Sequence, residues 1–327
     1  MEFPLTKHIR TGEQPLTLKE YEDVGGYKAV HKALKEMNPE QIISEVKLSN
    51  LLGRGGAGFP PGLKWSLVPK KTGKDDEPRY LLANADEMEP GAFKDRYLLE
   101  GNPHQIIAGI IIAAYAIQAE RAYIFIRWAY KKAERLIRQA ISDAYEANYL
   151  GNDILGTGYH LDLFIHVSTG RYMCGEETGL INSIEGKRAN PRSKPPFPAT
   201  LGMFGKPSIV NNIETLSFIP HIIENGSDWF KKLSATGEGG TRLYGASGRV
   251  KKPGLWELPL GITLRELLYD HAGGMADGYK FRGALPGGAS TDFVMESHLD
   301  TPMDFASLPK VGSRLGTATI TVLDDKT

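Results

Sequence analysis

The sequence predicts an α/β domain built on parallel strands, followed by a small α+β module of β-grasp type. Two observations predict it. Between residues 79 and 186 strand-like apolar runs alternate with helical stretches, the order that gives a layered sheet with parallel strands. After Glu238-Gly239-Gly240 the pattern changes to two strands, a short helix and further strands. The expected division is therefore 1–238 and 239–327, and no internal repeat is visible.

The elements follow in order. Tyr27–Met37 and Pro39–Lys47 have helical spacing, and Pro39 suits a first turn. A glycine-rich loop, Gly53 to Gly62, comes next, then Arg79–Asn84 as a buried strand ending in an acidic loop at Asp86-Glu87-Met88-Glu89. Pro103–Gln118 reads as a mostly buried helix and Ala122–Arg127 as a strand. Tyr130–Tyr145 carries the apolar stripe Ala133, Leu136, Ile137, Ala140 and Ile141 of an amphipathic helix. Leu161–Val167 alternates as a strand, and 174–186 reads as a helix. The Pro- and Lys/Arg-rich stretch Lys187–Lys206 breaks the pattern before a helix resumes at Asn211-Asn212-Ile213-Glu214-Thr215. In the second module Thr241–Val250 and Leu255–Leu258 read as a hairpin turning at Lys251–Gly254. Thr263 caps a short helix to Asp270 with Glu266 at its third position, and Tyr279–Ala284 and Ala318–Leu323 are strands.

Composition narrows the function classes. Apolar residues are 41% and charged residues 24%, enough for a sizeable core and unlike a disordered or collagen-like chain. Lys+Arg and Asp+Glu are both 39, which argues against a general nucleic-acid binder. Cys174 is the single cysteine, so this chain makes no internal disulfide and no cysteine-ligated zinc or iron–sulfur site. Met1–Gly12 has no apolar stretch of a signal peptide, and the longest apolar run, Ile106–Ile117, is short of the ~20 residues a membrane span needs. The expectation is a soluble cytosolic protein, with docking on a membrane complex left open. The 37 glycines exceed the usual ~7% and sit in clusters, which points to special backbone sites.

Five segments can carry chemistry. Gly53, Gly55 and Gly58 form a G-x-G-x-x-G whose N–H groups can approach a phosphate or a flat ring, or simply a turn. A helix precedes it and a strand follows, the reverse of the common dinucleotide fingerprint. Asn84, Asp86, Glu87 and Glu89 lie at a strand end, where ligands of open α/β sheets bind, or form a solvated acidic turn. Tyr172-Met173-Cys174-Gly175-Glu176-Glu177 puts two carboxylates at a helix start, where the macrodipole alone favours them and where one can hold a ribose diol. Cys174 reads as a packed small residue. Lys187, Arg188, Arg192 and Lys194 on a proline-stiffened strip ending in Phe197 suit a pyrophosphate and a stacked ring, or a solvated basic loop. Asn211-Asn212 at a helix start is an ordinary cap or a phosphate site. No Ser-His-Asp order, metal-ligand spacing or Walker A sequence is present, and the eight histidines are scattered.

Together, in this order and spacing, these strings resemble the flavoprotein subunit of proton-pumping NADH:quinone oxidoreductase, respiratory complex I. They are Gly-Arg-Gly-Gly-Ala-Gly-Phe-Pro (53–60), Asn-Ala-Asp-Glu-Met-Glu-Pro-Gly (84–91), Cys-Gly-Glu-Glu-Thr (174–178), Asn-Pro-Arg-Ser-Lys-Pro-Pro-Phe-Pro (190–198), Val-Asn-Asn-Ile-Glu-Thr (210–215) and the run 247–259. The resemblance spans residues 20–327 and implies a Rossmann-like FMN-binding domain followed by a soluble-ligand-binding β-grasp-like domain. It implies that FMN is held by Gly53, Arg54, Gly55, Gly56, Lys64, Asn84, Asp86, Glu87, Tyr172, Gly175, Glu176, Val210, Asn211, Asn212 and Thr215. NADH would be held by Ala57, Phe59, Lys64, Glu89, Glu177, Lys194 and Phe197, with the two phenylalanines stacking on adenine and Glu177 disfavouring a 2′-phosphate. No side chain is expected to act as a catalyst, because hydride transfer is carried by the flavin, which then releases electrons singly to an iron–sulfur chain toward quinone.

The resemblance implies as partners a small [2Fe–2S] thioredoxin-like subunit and a large iron–sulfur subunit, with the assembly on the cytoplasmic face of the inner membrane. The family also carries a C-terminal helical domain with a four-cysteine [4Fe–4S] site, whose ligands are not expected in this chain. Three departures stand out. Arg127-Trp128-Ala129-Tyr130 replaces Arg-Gly-Glu-Tyr, Ser168-Thr169-Gly170 replaces Gly-Ala-Gly, and Gly179 replaces Ala. Related flavoprotein subunits serve soluble NAD-linked hydrogenases and formate dehydrogenases, and a non-catalytic FMN- or NAD-binding module is the remaining alternative.

Overall fold

The computed structural model describes residues 2–71 and 77–326. Met1 and Thr327, the outer limits of the two expected domains, lie outside the described residues. The chain opens with three short helices, α1 (Leu18–Asp23), α2 (Lys28–Glu36) and α3 (Pro39–Leu48). Thr17 with Glu20 and Asn38 with Gln41 form reciprocal capping boxes on α1 and α3, and Pro39 takes the first turn of α3. The glycine loop follows and leads into α4 (Pro61–Ser66).

The first sheet is built from β1 (Tyr80–Ala85), β2 (Arg121–Arg127), β3 (Asp162–Ser168) and β4 (Ser208–Asn212), in the order β3-β2-β1-β4. All three pairings are parallel. The crossovers are α5 (Lys94–Gly101) and α6 (Pro103–Ala116) after β1, α7 (Lys131–Glu146) after β2, and α8 (Glu177–Ile184) with α9 (Pro198–Leu201) after β3. β4 leads directly into α10 (Ile213–Asn225), and α11 (Ser227–Lys232) closes the first part.

Both faces of a parallel sheet must be covered, and here they are covered unequally. Leu81, Ala83, Ile124, Ile126 and Ile209 face the large core with α6 and α10. Tyr80, Leu82, Phe125 and Val210 face a smaller one with Leu180, Ile181 and Met203. Every residue of α6 except Tyr115 is buried. It packs on α10 at Gly109, where an added Cβ would lie 2.0 Å from the Leu216 carbonyl oxygen.

The second part has its own core around Tyr244, Leu267, Ile320 and Val322. Its sheet runs β6-β5-β9-β7-β8, formed by β5 (Thr241–Gly248), β6 (Gly254–Pro259), β7 (Phe281–Leu285), β8 (Val294–Met295) and β9 (Thr319–Asp324). β5 and β9 are parallel and the other pairs antiparallel, with α12 (Leu264–Glu266) between β6 and β7 in the chain. The first residues of the chain are pinned here. The buried Glu257 carboxylate accepts from the N–H groups of Leu5 and Thr6 and from the hydroxyls of Thr6 and Thr241.

Four local readings are corrected. Asn211 and Asn212 end a strand and the helix begins only at Ile213, although Asn212 is its N-cap, as expected, accepting the Glu214 N–H at 2.9 Å. A buried parallel strand does not alternate, so this five-residue piece has no period to read. The helix expected from Cys174 begins at Glu177, because Tyr172–Gly175 forms a 3₁₀ turn and Glu176 is the extended N-cap. The Thr263 cap and its Glu266 partner are present, yet the α-helix stops after three residues and widens into a π turn over Leu267–His271. Finally, α5 occupies residues that the pattern left without an element.

Candidate functional site

Chain order goes outward from β1 through β2 to β3, then returns to β4 on the other side of β1. The switch point is therefore between β1 and β4, and a crevice opens beyond their C-terminal ends. A cavity of about 340 Å³ sits there, lined by Gly55, Asn84, Asp86, Glu87, Met88, Glu89, Lys94, Asp95, Tyr172, Met173, Gly175, Glu176, Asn212 and Thr317. Segments far apart in sequence thus converge on one hollow: the glycine loop, the end of β1, the turn before α8, the end of β4 and the second module.

Two glycines make the walls close. A Cβ on Gly55 would stand 3.2 Å from Asn212 Cβ, and one on Gly175 would stand 3.3 Å from the Asp86 carbonyl oxygen. Asn84 ties the walls together, since its Nδ2 donates to the Gly175 carbonyl at 2.8 Å while its Oδ1 accepts the Asp86 N–H at 3.1 Å.

Asp86 is the anomaly of the site. Its side chain is 5% exposed, and neither carboxylate oxygen accepts a hydrogen bond of full geometry, although the Ser168 hydroxyl is close enough to pull on it. Burial pushes the carboxyl up to about 6, against the downward pull of Ser168 and Arg127 near by. A buried acceptor pair without a donor of full geometry is costly, and it fits a ligand ring that brings N–H donors. Glu87 behaves differently. Its oxygens accept from the N–H groups of Asp95 and Arg96 at the start of α5 and from the Tyr130 hydroxyl at 3.0 Å. Burial, reinforced by the Asp95 carboxylate, lifts it to about 7.

Lys94 forms part of the floor. Its ammonium is fully buried, 2.7 Å from Asp95 Oδ1 and 3.0 Å from Glu214 Oε2, and these carboxylates outweigh desolvation and hold it above the usual lysine range. Asn212 Nδ2 donates to the other Asp95 oxygen at 2.6 Å, so the end of β4 is fixed to α5.

Of the expected residues that do not line the cavity, Lys194 meets the cavity-lining Glu176 at 3.2 Å. Lys64, Lys194 and Glu177 form one ion cluster: Glu177 Oε2 meets Lys64 at 2.5 Å and Oε1 meets Lys194 at 2.5 Å. Burial works to raise the Glu177 carboxyl, but the two ammonium groups hold it below the usual carboxylate range. Glu176 caps α8 by accepting from the N–H groups of Thr178 and Gly179. Phe59 and Phe197 are 49% and 57% exposed, Ala57 is exposed beside Phe59 in the loop sequence, and neither ring lines the cavity.

A third group is structural in its contacts. The buried Arg54 donates to the carbonyls of Gly239 and Thr241, and its backbone N–H donates to Thr215 Oγ1 at 2.8 Å. Its Nε and one Nη have no partner, and burial with the neighbouring Arg242 lowers it to about 10. Asn211 Oδ1 accepts the Trp65 indole N–H, and the Val210 carbonyl accepts Lys64 Nζ. The Gly53 N–H closes the glycine loop onto the Phe59 carbonyl, and Gly56 takes φ +126°.

Lys94, Asp95 and Thr317 line the cavity although sequence reasoning did not select them. The charged triplet Lys94-Asp95-Arg96 just before Tyr97-Leu98-Leu99 is a readable signal of a helix start. Thr317 has no local signal, since only the closure of the second sheet brings it to the first. Among the described residues no group of three or more His, Cys, Asp or Glu is placed to hold a metal, and no helix is long and apolar enough to cross a membrane.

Comparison with known proteins places these features in context. Residues 46–221 match the family described as the Nuo51 FMN-binding domain, and residues 246–294 match the SLBB domain. The chain is 56% identical over 321 residues to an NADH-quinone oxidoreductase subunit of Salmonella typhimurium and 55% identical to its counterpart in Escherichia coli, in both cases covering 98% of this chain and 72% of the relative. Among solved structures, a chain of an NAD+-reducing [NiFe]-hydrogenase in the H2-reduced state superposes with TM-score 0.80 at 32% identity. That match covers 96% of this chain, which spans about half (52%) of the hydrogenase chain.

Proposed function

The chain belongs to the Nuo51 family of NADH-quinone oxidoreductase subunits, and we propose that it is the subunit that oxidises NADH, with FMN in the crevice between β1 and β4. The single observation that carries this reading is Asp86, a buried carboxylate in the cavity wall whose oxygens accept no hydrogen bond of full geometry, with only the pull of Ser168 and Arg127 against its burial. FMN, when bound, supplies hydride acceptance and the conversion from two-electron to one-electron chemistry.

The protein's part is binding and orientation. Asp86 and Asn84 offer acceptors and donors to the edge of a flat heteroaromatic ring, while Gly55, Gly175 and Asn212 bring the backbone close on either side. Tyr172, Glu176 and Glu87 complete the walls, and we assign Gly53, Gly56, Arg54, Lys64, Val210, Asn211 and Thr215 to FMN as residues outside that lining. For the nucleotide we assign Glu89 at the cavity, the Lys64–Glu177–Lys194 cluster next to it, and Ala57, Phe59 and Phe197 as the outer exposed surface. Exposed aromatic rings suit adenine, since stacking contributes ~0.5–1.5 kcal/mol beyond burial.

In this reading residues 1–238 hold FMN and NADH, and 239–327 form the β-grasp-like module. Partner subunits of the same complex are expected. More specifically, we assign a small [2Fe–2S] thioredoxin-like subunit and a large iron–sulfur subunit as acceptors toward quinone, with peripheral placement on the cytoplasmic face of the inner membrane. The hydrogenase likeness supports a shared module, and the higher identity to the NADH-quinone oxidoreductase relatives favours the quinone enzyme over a hydrogenase diaphorase. The test is NADH–ferricyanide turnover by the FMN-reconstituted chain, since ferricyanide takes electrons without a cluster. Turnover is expected. Bound FMN without turnover would leave a non-catalytic binding module.

A further inference from the structure

Besides lining the cavity with Thr317, the second module holds one carboxylate of the site. Glu89 is 9% exposed, and its two oxygens are held from two different parts of the chain. Oε2 accepts the hydroxyl of Tyr172, which precedes α8, at 2.7 Å. Oε1 accepts the backbone N–H of Ser290, in the loop between β7 and β8, at 2.8 Å. Gly288 in the same loop has φ +97°, and a Cβ there would stand 2.7 Å from both Glu89 Cγ and Oε1.

That loop is itself braced. The Gly287 carbonyl accepts Thr317 Oγ1 at 2.8 Å, and the Gly288 carbonyl accepts Thr291 Oγ1 at 2.8 Å. A Cβ on Gly287 would stand 2.4 Å from the Leu315 carbonyl oxygen. The loop is therefore fixed to the segment that delivers Thr317 to the cavity wall. A carboxylate has about four acceptor positions, so Glu89, with one bond on each oxygen, keeps capacity for a ligand hydroxyl or amide.

We propose that Gly288 and Ser290 are positioning residues of the nucleotide site: the second module sets the Glu89 carboxylate through a backbone N–H and a side-chain-free contact. The inference rests on the reading that Glu89 receives NADH. It assigns the second module a share in nucleotide affinity beyond its own folding.

The experiment measures NAD+ binding by calorimetry to the FMN-loaded chain, alongside NADH–ferricyanide kinetics. Gly288→Ala should weaken NAD+ by ~10-fold and raise KM for NADH, because displacement of a binding group by ~1 Å costs up to ~10²-fold. FMN content and kcat at saturating NADH should stay within about twofold. Gly278→Ala is the control, since Gly278 has φ +82° with nothing within 4 Å and carries the same backbone strain without touching Glu89. It should bind NAD+ as the wild type does. In a Glu89→Ala background, Gly288→Ala should cause no further loss.

Equal losses in both backgrounds, or wild-type affinity of Gly288→Ala, would overturn the proposal. Hydrogen exchange on the wild type asks the same question without a variant. NAD+ should slow exchange in the segment 286–291, and an unchanged rate there with NAD+ bound counts against the proposal. Failure of the FMN-loaded wild type to bind NAD+ at all would remove the underlying functional reading, and this inference with it.

Discussion

Lys64 Nζ lies 2.5 Å from Glu177 Oε2, and Lys194 closes on the other oxygen of the same carboxylate. Glu177 is thus a fixed negative charge, held by two cations at the start of α8 rather than free to turn away. On the proposed reading, in which Glu177 faces the adenosine ribose, a fixed charge would discriminate. A nucleotide carrying an extra phosphate near this point meets an anion that cannot move or become protonated cheaply.

Glu177→Gln should therefore narrow the preference for NADH over NADPH. The ratio of kcat/KM values is expected to fall by ~10-fold or more, equivalent to about 1.4 kcal/mol. Parallel ferricyanide assays with the two nucleotides measure it, and an unchanged ratio would show that Glu177 does not face the ribose.

Asp86 should behave as a residue kept for a ligand at the expense of the empty fold. Its carboxyl lies at about 6 in the folded chain against a usual 3.8, so the fold favours the protonated form. Stability attributable to it is full below about pH 4 and is lost as pH rises to about 6. Asp86→Asn should flatten that part of the pH profile, raise apo stability at pH 7 by about 1–3 kcal/mol, and weaken FMN binding. Thermal melts and flavin fluorescence titrations check the two halves. A variant that binds FMN as well as the wild type would take the acceptor role away from Asp86.

Glu257 joins the chain start to the second module. Burial lifts its carboxyl to about 7 even though four N–H and O–H groups donate to it. The associated stability is lost as pH rises from about 4.5 to about 7. Glu257→Gln places an amide NH2 among donors and should cost about 1–3 kcal/mol. Amide exchange at Leu5 and Thr6 should accelerate, and unaltered protection would mean that other contacts hold this segment.

Gly109→Ala tests the packing that supports the crevice. An added Cβ 2.0 Å from the Leu216 carbonyl oxygen forces α6 away from α10, the helix capped by Asn212. A loss of about 3 kcal/mol in urea unfolding is expected. Unfolding at the wild-type midpoint would mean the helices separate without strain.

Much of this was legible from residue pattern. Pro39 in the first turn of α3, the apolar stripe of α7 and the Thr263 cap with Glu266 are local signals, and local signals survive folding. β4 was not legible, because Ser208–Asn212 is a short, largely buried strand and carries no alternation. Its omission hid the switch point that explains why Asn84, Asp86 and Asn212 converge. Glu89 was selected for its chemistry, yet its contact with Ser290 joins residues 201 apart and has no local sequence signature. Lys94 was overlooked because a lysine in a charged triplet reads as solvated, whereas Asp95 and Glu214 draw it into the floor.

The central claim is that the hollow between β1 and β4 is a flavin site. The most direct measurement is to incubate the purified chain with FMN, pass it through a gel-filtration column and read flavin absorbance in the protein peak. The account predicts retention of a single FMN per chain, with Asp86→Ala losing it while remaining folded by circular dichroism. Free elution of FMN from a folded wild-type chain would contradict the account.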